Sequence, residues 1–469
     1  MRYVSTRGEA PELGFSDVLL AGLAQDGGLY VPTSWPQISP DEIATFSGAS
    51  YADVAYRVIQ PYVGSSIEDE VLRTLVQEAY SDFGHPAVAP LVQIAPNHFL
   101  LELFHGPTLA FKDVAMQLLA RLMDHVLQQR GQRATVVGAT SGDTGGAAIS
   151  AFAGRQRTHM FILFPKGRVS TVQRRQMTTE VSDNVHCLEI DGTFDDCQAL
   201  VKAMFADKRF RDRVALAGVN SINWARIVAQ IVYYFTAAVA LGGPGRAVSF
   251  TVPTGNFGDI FAGYAAKKMG LPIDRLVIAS NVNDILPRTL ETGVYDVRGV
   301  AATQSPSMDI QVSSNFERLL YLASGREAET VARWMANLKQ SGSFTLDPQS
   351  LEAITAEFDA GRTTDADTSA VMTELLTDCD YLLDPHTAVG VFVAERCAKA
   401  SIPMITLGTA HPAKFPAAVE AATGVQPPLP THLGDLMERE ERMTPLPNDL
   451  DVVERFIEQH SSLLETRVS

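Results

Sequence analysis

The sequence predicts an α/β protein: two α/β lobes with parallel-rich sheets, preceded by a small N-terminal unit. Two observations carry this. From about residue 97 short apolar runs, read as buried strands, alternate with helical segments. Several of those runs end in glycine-rich turns that lead straight into a helix, which is where a parallel sheet places ligands.

In chain order, "FSDVLLAGLA" reads as an early helix and "DGGLYVP" as a turn with a short strand. "YADVAYRVIQPYV" and "DEVLRTLVQEAY" continue the helical pattern. "HFLLELF" is then a strand, followed by a buried helix opening just after Pro107. "ATVVGAT" (134–140) is a strand leading into "SGDTGGAAISAFAG", and "HMFILFP", "VHCLEIDG", "AVSFTVPTG", "RLVIASN" and "PMITLGT" complete the set. The run "IVAQIVYYFTAAVAL" (227–241), interrupted by Gln230, is too short to span a bilayer and reads as a buried helix. The tail after Pro427 is acidic and polar, with one helix near "DVVERFIEQHSSLLE". These segments divide the chain into a mainly helical unit (1–92), a two-lobed core (93–428) and an acidic tail (429–469).

The 469 residues suffice for two or three domains. Thirty-eight basic against 54 acidic side chains leave a net charge of −16, which argues against nucleic acid or an anionic membrane as partner. An anionic small molecule needs a local site that overrides this field. The four cysteines show no C-x-x-C spacing, so neither zinc nor a disulfide framework is indicated. A reducing, cytoplasmic setting is the simplest reading, and the N-terminus lacks the apolar stretch of a signal peptide.

Three strand-end turns and one lysine carry the chemistry. "ATSGDTGGAA" sets Ser141, Gly142, Thr144 and Gly145 before a helix, where exposed amides and two hydroxyls suit a carboxylate. "VPTGNFGDIFAG" offers Gly255, Asn256, Phe257, Gly258 and Asp259 as a nest suited to a phosphate. "ITLGTAHPAKFP" puts Thr409 just beyond a buried strand. Neither glycine loop fits the dinucleotide or P-loop patterns. Lys112, in "LELFHGPTLAFKD", sits among apolar residues. Singly, glycine turns are common between strands and helices, and a lysine at a helix end often snorkels. Together, a lysine in apolar surroundings and two anion-cradling loops are what a phosphate-bearing Schiff-base cofactor requires. Desolvation favours the neutral amine that attacks an aldehyde.

With "RYVSTRG", "GLAQDGGLYVP", "NSINWARI", "DPHTAVG" and "LGTAHPAKFP" added, in order over nearly the whole chain, the sequence resembles the threonine synthases. These belong to fold type II of the pyridoxal 5'-phosphate (PLP) enzymes, a tryptophan synthase β-like fold. The resemblance implies that Lys112 carries PLP and later moves protons. It implies that Gly255, Asn256, Phe257, Gly258 and Asp259 hold the cofactor phosphate, mostly through backbone N–H groups, and that Thr409 contacts the pyridine nitrogen. It further implies that Ser141, Gly142, Asp143, Thr144 and Gly145 receive the α-carboxylate. Asp143 stands where many relatives carry Asn; ionised, it would repel the cofactor's phenolate oxygen, so it either faces elsewhere or is protonated. The implied reaction converts O-phospho-L-homoserine and water to L-threonine and phosphate. The alternatives are a threonine or serine dehydratase or phospho-lyase-like paralogue of the same fold, or a non-catalytic binding protein.

The substrate phosphate needs its own cation, and Lys166, Arg168, Arg226 and Lys414 are candidates, Lys414 first because it lies close behind Thr409. Asn223 is a candidate for the pocket lining. His105, His386 and His411 lack metal-ligand spacing and read as packing or loop anchors, so no metal is expected. The expected partner is the small-molecule substrate, with the chain a monomer or homodimer.

Overall fold

The strand Val248–Pro253 is buried along its whole length and lies inside a six-stranded sheet. Its neighbours are Ile273–Ser280 and Met404–Gly408; beyond them lie Phe358–Arg362 on one side, His98–Glu102 and Leu91–Ala95 on the other. All pairings are parallel except that of the edge strand Leu91–Ala95. Continuous runs such as "VSFTVP" and "MITLG" are what a strand covered on both faces needs. The computed structural model describes residues 1–218 and 221–462.

The chain divides into two compact units: 1–111 with 221–427, and 112–220 with 428–469. The six-stranded sheet belongs to the first. Residues 1–92 also lie in that unit, contributing a three-stranded antiparallel sheet (Arg2–Ser5, Leu13–Gly14, Tyr30–Pro32) and helices including Tyr51–Val63 and Asp69–Tyr80. A buried anion ties this segment in. Glu317, in helix Phe316–Ala323, accepts the Thr6 hydroxyl at 2.6 Å and both Nε and Nη2 of Arg7 at 3.0 and 2.9 Å.

The second unit holds a five-stranded, all-parallel sheet in the order Thr444–Pro447, Val185–Asp191, Thr158–Pro165, Ala134–Ala139, Leu216–Ala217. The tail is therefore more than one helix. Its edge strand contains Pro445 and Pro447, tolerated because one side of an edge strand needs no donors. Helix Leu450–Ser462 follows, with Val453 and Ile457 buried against Phe161, Leu188 and Ile190. The expected continuation over Leu463, Leu464 and Glu465 lies outside the described residues.

The helix expected just after Pro107 starts later, at Lys112. Leu109 has a left-handed φ of 63°, and Ala110 pairs with Ala410. The Phe111 amide donates to the Thr409 carbonyl at 2.9 Å, and the His411 amide to the Leu109 carbonyl at 3.0 Å. These bonds hold 109–111 beside the 409–411 segment and out of a helix.

The latch at Glu317 gives a direct test. Glu317→Gln leaves the Arg7 guanidinium without its charge partner, which costs roughly 2–4 kcal/mol for a mostly buried pair. A lower thermal unfolding midpoint, by circular dichroism, is the expected outcome.

Candidate active site

In the second unit, helix Lys112–Gln129 begins at the candidate lysine, whose side chain is 11% exposed. Its Nζ lies 3.5 Å from Asp143 Oδ2, a charge contact rather than a short hydrogen bond. Asp143 is the first residue of helix Asp143–Phe152, where the helix dipole favours an anion. Gln173 Nε2 donates to its other oxygen, Oδ1, at 2.8 Å. The Asp143 carboxylate thus faces Lys112 and Gln173.

The turn before that helix is held by a residue the motif reading passed over. Thr140 Oγ1 accepts the amides of Gly142 and Gly145 at 3.0 and 2.9 Å. Both glycines are required sterically. Gly142 has φ 144°, and a Cβ there would stand 2.5 Å from Gln173 Cδ; one on Gly145 would stand 2.4 Å from Thr140 Cγ2. With those two amides occupied, the amides and hydroxyls of Ser141 and Thr144 have no partner among the described residues. This leaves a ring of donors of the kind a carboxylate takes.

In the first unit, the strand Val248–Pro253 runs into a turn and then helix Gly258–Lys268. Phe257 caps that helix with a left-handed φ of 64°, its ring packed against Phe316 and Phe358. Among the described residues, the amides of Gly255, Asn256, Phe257 and Gly258 have no acceptor. The carbonyls of the same turn are engaged. Gly255 O accepts Ser313 Oγ at 2.6 Å, and Asn256 O accepts the Asn315 amide and Nδ2, each at 3.0 Å. Gly255 cannot carry a side chain, because a Cβ would meet Ser307 O at 2.8 Å. Four unpaired amides at a helix start fit a phosphate ester. The Asp259 side chain does not add to them. It is buried, and the hydroxyls of Tyr233 and Tyr234 donate to its Oδ1. Burial, and after it the Asp259 charge, push both phenols well above their usual range, so they stay donors.

Thr409 follows the adjacent strand Met404–Gly408. It is 6% exposed, and its hydroxyl has no partner among the described residues. Its amide donates to Thr387 Oγ1 at 3.2 Å. Here the stretch "DPHTAVG" becomes legible. Asp384 caps helix Pro385–Cys397 by accepting the amides of His386 and Thr387, and it also accepts the Thr387 hydroxyl. His386 Nδ1 lies 3.0 Å from Asp384 Oδ1, and its Nε2 accepts the Ser307 amide at 3.2 Å. That network assigns the imidazole proton to Nδ1. One buried carboxylate thereby steadies both Thr409 and the Ser307 backbone packed against Gly255. His386 is a loop anchor.

Other candidates occupy different surroundings. Lys414 is fully buried, and its Nζ donates to the Thr108 carbonyl at 2.5 Å. Asn223 caps helix Trp224–Ala240, accepting the Ala225 amide and donating to the Leu19 carbonyl. Arg226 is buried, while Lys166 and Arg168 are exposed. No group of three potential metal ligands occurs among the described residues. Gln173 and Asn315 gave no signal in the sequence, being far along the chain from the loops they hold. Asp384 did give one, since Asp before Pro at a helix start is a capping pattern.

The family model for pyridoxal-phosphate dependent enzymes matches residues 85–403; flanking it, models for the threonine synthase N terminus and C-terminal region match 2–80 and 387–457. The chain belongs to the threonine synthase family. It is 54% identical to the threonine synthase of Pseudomonas aeruginosa over 98% of this chain and 99% of that one. The crystal structure of PLP-bound threonine synthase from Brucella melitensis is 62% identical, with a TM-score of 0.97 covering 98% of this chain and 100% of that chain. The yeast threonine synthase structure gives 41% identity and a TM-score of 0.94, covering 98% of each chain. The threonine synthase fold seen here is accordingly that of a PLP-dependent enzyme of fold type II. No helix among the described residues is long and apolar enough to cross a membrane.

Gly142→Ala tests the carboxylate ring. The added Cβ drives into Gln173 at a φ that L residues rarely adopt, so the donors shift. An increase in substrate KM on the order of tenfold, about 1.4 kcal/mol, is expected from steady-state kinetics.

Proposed function

We propose that this chain converts O-phospho-L-homoserine and water to L-threonine and inorganic phosphate, the last step of threonine biosynthesis. The observation that carries the proposal is the pair of threonine synthase models flanking the PLP-enzyme core. The core match alone would fit a dehydratase of the same fold; the flanking matches are to threonine synthase. PLP, when bound, supplies an electron-accepting ring that stabilises negative charge beside the substrate's amino group.

The chain's own residues have the following roles in this reading. Lys112 would hold the cofactor through Nζ and, once the substrate's amino group has displaced it, the freed amine would take the proton from the substrate Cα and later one from Cβ. Asp143, fixed by Gln173, faces that Nζ. The amides of Gly255, Asn256, Phe257 and Gly258 bind the cofactor phosphate. The Thr409 hydroxyl would partner the pyridine nitrogen, and as a neutral group it would leave that nitrogen without a proton, which tempers the electron demand and disfavours transamination. Ser141 and Thr144, with the Gly142–Gly145 turn, orient the α-carboxylate. The γ-phosphate leaves with the C–O bonding pair, a proton is delivered to Cγ, water adds its hydroxyl at Cβ, and a proton returned to Cα completes the balance. Lys414 is the candidate cation for the substrate phosphate; one N–H of its Nζ goes to the Thr108 carbonyl. A cytoplasmic location and a monomer or homodimer are part of the same proposal.

Supplying O-phospho-L-homoserine and measuring phosphate and threonine together tests this. Equimolar release of both is expected, and Lys112→Ala should reduce turnover by at least about a thousandfold. Release of a 2-oxo acid as sole product would shift the assignment to a dehydratase.

A further inference from the structure

Helix Phe316–Ala323 carries a guanidinium that is hydrogen-bonded to no carboxylate among the described residues. Arg318 is fully buried, and its hydrogen bonds among the described residues all end on neutral oxygens. Nε donates to the Tyr30 carbonyl at 3.0 Å, Nη2 to the Ile222 carbonyl at 2.6 Å, and Nη1 to Asn315 Oδ1. The Trp224 ring lies 5.5 Å from its Cζ. The adjacent Glu317 is taken up by Thr6 and Arg7. Burial pushes the Arg318 guanidinium down to about 9, opposed in part by the nearby Glu317 charge. Such a group is expensive to bury, so its neighbourhood deserves a functional question.

Its one side-chain partner leads to the turn at 255–258. Asn315 accepts from Arg318 at Oδ1 and donates from Nδ2 to the Asn256 carbonyl. The Asn256 carbonyl and the Phe257 N–H are two ends of one planar peptide group. Drawing density onto that oxygen makes the N–H at the other end a stronger donor, and each bond in such a chain polarises the next. The Phe257 N–H is one of the four amides without a partner among the described residues. Ser313 acts alike on the preceding peptide, donating to the Gly255 carbonyl and so favouring the Asn256 N–H.

We propose that Arg318 is a positioning residue for the cofactor phosphate: a buried cation that, through Asn315, biases the 255–258 amides toward a dianionic phosphate. The proposal rests on the reading above that this turn holds the cofactor phosphate. It also gives the N-terminal segment a role, since the Tyr30 carbonyl fixes the guanidinium.

The test compares two ligands that differ only in the phosphate. Full-length protein stripped of cofactor is titrated with PLP and with pyridoxal, and inorganic phosphate is used as competitor. Arg318→Met removes the charge at similar volume. Asn315→Asp keeps the volume, gives Arg318 a counter-ion and replaces the Nδ2 donor with an anion, so it decides the matter where Arg318→Met does not fold. Each folded variant should lose at least about tenfold in PLP affinity, while its pyridoxal affinity stays within about threefold of the unaltered protein. Equal losses for both ligands, or a PLP preference kept within about threefold, overturn the proposal. If the unaltered protein itself shows no preference for PLP over pyridoxal, and phosphate does not compete, the reading of the turn fails first.

Discussion

A helix that starts at the end of a parallel strand presents backbone amides that nothing in the helix can satisfy. That constraint shapes both halves of the machinery described above. At 255–258 the amides are left open and the carbonyls are pinned from behind. At 140–145 two of the amides are closed off by Thr140, which narrows the remaining donors to Ser141 and Thr144. The sheet dictates where these openings fall; the polar residues behind them dictate what each one accepts.

Behind each opening lies a residue whose own hydrogen-bonding capacity is spent on holding backbone. Asp384 accepts four groups of one helix start and fixes Thr387 and His386. Gln173 takes one oxygen of Asp143 and leaves the other to face Lys112. Buried polar networks of this kind are costly when broken, because each lost member strands another. They trade stability for position, and the position is that of the reacting groups.

Much of this was legible in the sequence. The buried strands, the two glycine turns, Lys112 and Thr409 all come from patterns contained within a dozen residues, where apolar runs and turn chemistry act locally. What was not legible depends on distance along the chain. Gln173 is 30 residues from Asp143, and Asn315 is 59 from Asn256. The Thr108 carbonyl that takes an N–H of Lys414 lies 306 residues away, which "HPAKFP" does not state. Asn223, in "NSINWARI", caps its own helix at Ala225 and also donates to Leu19, 204 residues away. The late start of the Lys112 helix has the same origin. Periodicity runs back past Leu109, but pairing with 409–411 overrides it.

The central claim is that the amine of Lys112 is the attachment point of the cofactor. Borohydride reduction of the loaded protein, followed by proteolysis and mass spectrometry, reads that attachment directly. The phosphopyridoxyl group should appear on the peptide containing Lys112 and on no other lysine. Its appearance on a different lysine, with the Lys112 peptide unmodified, would contradict the account.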